Sequence, residues 1–220
     1  MSRRAFTAGL AISMFAFGAI GAQSAPRIAD PDANAQLTSI VSATRDAGLP
    51  IEPILSKVQY AIVVAHAPGP RIVAAARAIA SRLEIARDAL APQPNALDIT
   101  AGADALGVPG VEPKELRTVR AASPKQSVAV PLGVLAQLVS NGVTPSKATA
   151  SVIDLIKRGA SPDQMVALGN NVNSDVASGE GATKALDVRM RGLNAVLAPG
   201  GGAAAAAAAP GLSSSGPKKP

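Results

Sequence analysis

Apolar residues along this chain recur at three- and four-residue spacing rather than in alternation. Ala148, Val152, Leu155 and Ile156 step by i, i+4, i+7 and i+8, and Ile72, Ala76, Ile79, Leu83, Ala86 and Leu90 form a narrow seam down one long segment. Such stripes lie on one face of a helix and need a partner surface. The pattern predicts helices over roughly 31–46, 53–65, 70–91, 95–106, 113–121, 131–140, 145–157, 162–171 and 182–196. The one β-prone stretch, Tyr60 to Val64, continues without a breaker from Ile54, Leu55 and Val58 and stops before Pro68-Gly69-Pro70, so helix is favoured there too. The expected fold class is all-α, an irregular bundle of helical hairpins in one piece or in two sub-bundles.

One punctuation mark repeats between the stripes. Gly110-Val111-Glu112-Pro113, Gly142-Val143-Thr144-Pro145 and Gly159-Ala160-Ser161-Pro162 each join a stop to a start. The glycine takes the left-handed position that closes a helix, the polar side chain accepts a free amide at the next N-cap, and proline at the first helical position loses no hydrogen bond. Ser161 with Gln164, and Ser123 with Gln126, have the spacing of a capping box. Lys157 and Arg158 precede Gly159, where cations favour the negative end of a helix dipole. A strict solenoid is disfavoured by the spacing, 17 residues from Gly142 to Gly159 against 32 from Gly110 to Gly142. Helical hairpins with some internal duplication fit better.

Composition divides the chain. Residues 92–112 hold Pro92, Pro94, Gly102, Gly107, Pro109 and Gly110, which predicts a hinge between an N-terminal and a C-terminal set of hairpins. Residues 199–220 are Gly, Ala, Ser and Pro with two lysines and have almost nothing to bury, so a disordered tail is expected. At the other end, Arg3 and Arg4 precede an apolar run from Ala8 to Ile20 and a small-residue site at Ala22-Gln23-Ser24. That order is the order of a secretory signal peptide spanning 1–24, with cleavage between Ser24 and Ala25 and a helical domain over 25–198. Within it, Ser2-Arg3-Arg4-Ala5-Phe6 resembles the twin-arginine export motif, which implies a domain folded before it crosses the membrane. The expected address is exported, either periplasmic or extracellular, with no transmembrane segment once the leader is removed. No cysteine follows the apolar run, so a lipid anchor is not expected.

The mature chain has no cysteine, tryptophan or phenylalanine, because Phe6, Phe15 and Phe17 all lie in the leader, and its only tyrosine is Tyr60. Its stability must therefore come from aliphatic packing. Sugar platforms, base-stacking grooves and aromatic cages all need ring faces that this composition does not supply. The formal charge of +6 falls by two when Arg3 and Arg4 leave, and two of the remaining positives, Lys218 and Lys219, sit in the tail. A domain so close to neutral predicts no nucleic-acid partner.

Candidate chemistry is sparse. His66, the single histidine, stands beside Ala65, Ala67 and Pro68 at an expected helix end, without a nucleophile or carboxylate nearby in sequence. Asp98 with Asp104, and Glu112 with Glu115, are too sparse for a calcium loop or a transition-metal site. Lys114, Arg117 and Arg120 step by three along one short helix; they suit either a solvated face or a basic stripe for an acidic partner. Ile153 to Leu168 has the outline of half a helix-turn-helix, a pattern that any tight corner between helices produces. No catalytic residue, cofactor ligand or metal ligand is assigned.

Over roughly residues 45–170, the Gly-x-(Ser/Thr)-Pro corners and Ala-rich filler give the chain a loose resemblance to exported Ala- and Pro-rich helical proteins of bacteria that have no assigned activity. The resemblance implies a helical fold and carries no catalytic residues with it. The expectation is an exported, non-enzymatic protein with an interaction or structural role in the cell envelope, its partner another envelope protein. Two alternatives stand beside it. One is an envelope enzyme whose carboxylates converge around His66, and the other is a helix-turn-helix DNA-binding protein whose first residues only mimic a leader.

Overall fold

The computed structural model describes residues 26–198; the expected leader over 1–24, its expected cleavage site at Ser24–Ala25 and the tail from 199 to 220 lie outside the described residues. Among the described residues there are nine helices and no strand. They are α1 (Pro31–Asp46), α2 (Glu52–Val63), α3 (Gly69–Ala89), α4 (Ala96–Ala105), α5 (Pro113–Ala122), α6 (Ala129–Ser140), α7 (Pro145–Lys157), α8 (Pro162–Ala177) and α9 (Ala182–Leu197). Eight of the nine agree with the sequence pattern to within two residues at both ends. The outlier is α8, which runs six residues past the expected stop at 171. Its asparagines at 170, 171 and 173 suggest a turn, but Val172 is fully buried and Val176 packs on the core. Burial of the stripe outweighs weak helix propensity there.

Gly142 and Gly159 close α6 and α7 as expected, whereas α4 stops at Ala105 and Gly110 lies in a turn five residues beyond it. Gly110, Gly142 and Gly159 have φ of +90°, +97° and +73°. At Gly142 its own N–H donates to the Val139 carbonyl at 2.9 Å and the Val143 N–H reaches back to Leu138 at 3.0 Å, the paired bonds of a Schellman stop. The same pairing closes α1 at Gly48 and α8 at Gly179. The residue after the glycine is the second half of the device: Leu49, Val111 and Val143 are all buried, which pins each corner to the core.

The N-caps divide. Ser161 and Gln164 form the expected capping box, with bonds of 2.8 and 3.2 Å. Ser123 and Gln126 do not. Ser123 is instead buried at the end of α5, and the Gln126 carbonyl accepts from Arg120 at 2.9 Å. Thr144 precedes α7 with no side-chain bond to its amides, so Pro145 alone marks that start. At α5 the box is acidic, with the Glu115 carboxylate accepting the Glu112 N–H at 3.0 Å.

Packing follows a simple succession. Helices α1, α3, α5 and α7 touch one after another in one layer, α4, α6 and α8 do so in a second, and hairpins α2–α3, α3–α4, α6–α7 and α8–α9 tie the layers together. Helix α6 sits at the centre against α4, α5, α7 and α8. Its sequence is apolar on nearly every side, as a helix surrounded by others must be. The Pro- and Gly-rich stretch expected to act as a hinge folds into α4, whose Ile99, Gly102, Ala103 and Ala105 are buried. A side chain at Gly102 would meet Ala86, Leu90 and Leu116 within 3.0 to 3.2 Å, so glycine is what lets α4 approach α3 and α5. One hydrophobic core therefore runs from Leu37 to Leu186 without a break at 92–112.

Candidate functional site

Helices α2 and α4 both rest on α3 but leave a groove between them. The stripe Ile54, Leu55 and Val58 buries α2 against α3, which turns Ser56, Lys57 and Tyr60 toward the opening. On α4 the buried set leaves Leu97, Thr100 and Asp104 facing the same space. The floor is Ile79, Arg82 and Ala103, and the cavity holds about 880 Å³. Tyr60 and Leu97 stand on opposite rims with 53% and 71% of their surface exposed, and Val63 and Val64 continue the apolar surface beyond Tyr60. Scattered exposed aliphatics are normal on a protein surface; a ring and a leucine facing each other across a cavity of ligand size are not.

The groove is polarised. The Lys57 ammonium lies 5.6 Å from the centroid of the Tyr60 ring, within cation–π range. The Arg82 guanidinium is steadied by the Ala78 carbonyl at 3.3 Å and lies over Gly107, where a Cβ would collide with its Nη1. Among the described residues, neither cation has an ion-pair partner within 4 Å. Burial raises the pKa of Asp104, with the charge of Arg82 pulling it back only in part. Glu52 sits in the first turn of α2, where the helix dipole favours a carboxylate.

The residues singled out from the sequence fall elsewhere. His66 is exposed just past α2 with φ of +44°, and among the described residues it makes no hydrogen bond or ion pair with a carboxylate. The three-residue basic stripe does not exist as a surface. Arg117 is exposed and Lys114 pairs with Glu112 at 2.9 Å, but Arg120 turns inward, its side chain only 13% exposed, to meet buried Asp98 at 2.6 Å. Asp98 also accepts from Ser127 Oγ at 2.6 Å and the Val128 N–H at 2.9 Å, so one carboxylate fastens α4, α5 and the start of α6. That is a structural clasp with all its partners internal to the fold. Among the described residues, no three His, Cys, Asp or Glu come together as a metal site would require, and no helix is long and apolar enough to cross a membrane.

The segment with the outline of half a helix-turn-helix is the corner between α7 and α8. Its two helices each pack on α6 rather than on one another, and α8 carries no lysine or arginine along its whole length. Comparison with known proteins adds no relative: no family model matches the chain, and neither a curated protein nor a solved structure resembles it significantly.

Sequence reasoning missed the groove. Tyr60 and Leu97 did carry a signal, since each is a large apolar residue lying outside the buried stripe of its own helix.

Proposed function

We propose that this chain is an exported, non-enzymatic protein of the cell envelope that binds another protein through the groove between α2 and α4. The observation behind the reading is the exposure of Tyr60 and Leu97 on the two walls of a groove floored by Ile79, Arg82 and Ala103. Export rests on the leader: the n-region arginines, the apolar run and the small-residue site together. Binding rests on the surface, because apolar side chains held open to water on two rims gain free energy when a partner covers them. Tyr60 is the only residue of the Phe, Tyr and Trp class in the mature chain, so modest affinity is expected.

The test has two arms. Fractionation with N-terminal sequencing of the native protein should find it outside the cytoplasm and starting at Ala25; an intact Met1 in the cytosol contradicts export. A pull-down from envelope extract should recover a specific partner with the wild-type protein and lose it with Leu97→Asp. Equal recovery by both proteins contradicts the groove.

A further inference from the structure

Helix α9 is the most lightly buried helix among the described residues. Only Ala185 and Leu186 of its 16 residues are buried, and its one extensive helix neighbour is α8. Beyond Leu186 its inward stripe, Met190, Leu193 and Leu197, is partly covered, while Val188 and Val196 lie exposed. A peripheral helix is held mainly by the apolar area it buries, so this one is held weakly. The seam beneath it is also imperfect. An open cleft of about 410 Å³ runs between α8 and the second half of α9, with Ala167 and Leu168 on one side and Val188, Leu193 and Val196 on the other. Aliphatic groups that face a gap forgo contacts they would make in a filled core. Asn194 adds a polar defect: its amide nitrogen reaches Asp154 of α7 at 3.4 Å, but its buried carbonyl oxygen has no hydrogen-bond partner among the described residues. Lifting the helix gives that oxygen water.

What fastens α9 is polar. Arg189 makes a bidentate bond to Asp175 of α8 at 2.6 and 2.7 Å, and Lys147 of α7 meets Asp187 at 2.8 Å. The chain passes from α8 to α9 over residues 178–181, through Gly179 at φ of +95°, and a hinge falls naturally at such an element end. We infer that α9 is a strap that lifts off α8 as one unit about this corner while α1 to α8 stay folded. Lifting uncovers Leu168 and Leu186, so the open molecule presents an apolar stretch of α8 that the closed one hides. Openings of this kind lie at the low end of the range of stabilities within one fold. The strap shares no residue with the groove between α2 and α4 and does not depend on it.

Hydrogen exchange followed amide by amide in the full mature protein, in urea well below the unfolding midpoint, tests the strap. The amides bonded within α9, from Leu186 to Leu197, should exchange through one shared opening. They should be at least about a hundredfold less protected than those of α6, with a urea slope that is a small share of the global one. Arg189→Met should speed their exchange about fivefold, the upper value of an exposed pair. Ile99→Val trims a buried core residue of α4. It should speed the α6 amides by about two- to tenfold and leave α9 unchanged, because the closed and open states lose the same contact. Protection that rises smoothly from Leu197 inward is end fraying and overturns the inference. So does protection of α9 equal to that of α6, acceleration of α9 by Ile99→Val, or an α9 rate that does not respond to Arg189→Met.

Discussion

Replacing Asp98 with alanine removes the acceptor that joins three parts of the fold. Asp98 is 2% exposed and receives the Arg120 guanidinium at 2.6 Å, Ser127 Oγ at 2.6 Å and the Val128 N–H at 2.9 Å. Val128 is the N-cap of α6 and makes no cap bond through its own side chain, so Asp98 caps the central helix from a distance. Deleting one member of a buried pair costs about 3–5 kcal/mol, because the other charge stays buried without compensation. Three hydrogen bonds to a charged acceptor, at a low-end value of about 1.5 kcal/mol each, reach the same range. Urea unfolding followed by circular dichroism should therefore show a loss of about 3–5 kcal/mol, and heating a fall of roughly 6–20 °C in Tm for a domain of this size. The double variant Asp98→Leu with Arg120→Met removes both charges and should recover a large part of that loss, while leaving the Val128 amide unpaired. A loss below about 1 kcal/mol, the value of an exposed pair, would refute the clasp. So would a double variant no more stable than Asp98→Ala.

Two glycines should respond to alanine for different reasons. Gly159 has open space around its Cβ position and φ of +73°, so Gly159→Ala should cost about 1–2 kcal/mol of backbone strain. Gly102→Ala adds a methyl where three side chains already crowd, and about 1–3 kcal/mol of overpacking should appear in the same urea series. Asp104 titrates with its folded pKa raised by burial, so the fold favours its protonated form and loses that contribution as pH rises through the folded value. Asp104→Asn should therefore raise the unfolding midpoint at neutral pH, and the advantage should vanish below the carboxylate range. Asp175 has the opposite sign. The bidentate bond from Arg189, at 2.6 and 2.7 Å, lowers its pKa, so the contribution is present above the ordinary carboxylate pKa and is lost as pH falls through the folded one. In an acid titration of stability, Arg189→Met should flatten the part of the decline that the wild type owes to this pair.

Most of the architecture was legible because it is written locally. Glycine followed by an apolar residue, then a polar residue and proline, fixes a stop and a start within four positions at Gly142 and Gly159, and at Gly110 it marks the start of α5. The errors arise where distant residues decide. Nothing within the sequence neighbourhood of Arg120 reveals that Asp98 lies behind it, so a residue spaced like part of a surface stripe becomes a buried clasp. The stretch around Gly102 reads as a hinge because its glycines and prolines look like a linker, yet the missing side chain there serves close helix packing. The groove is the hardest case. Its walls come from positions about 40 residues apart, and only the tertiary arrangement sets Tyr60 opposite Leu97.

Photo-crosslinking from the groove rim in intact cells tests the central claim most directly. A photoreactive residue replaces Leu97 in one strain and Val188, an exposed apolar residue of α9 away from the groove, in another. One discrete adduct from position 97, lost with Arg82→Glu and absent from position 188, is the expected result. The same adducts from both positions, or none from position 97, would contradict the account.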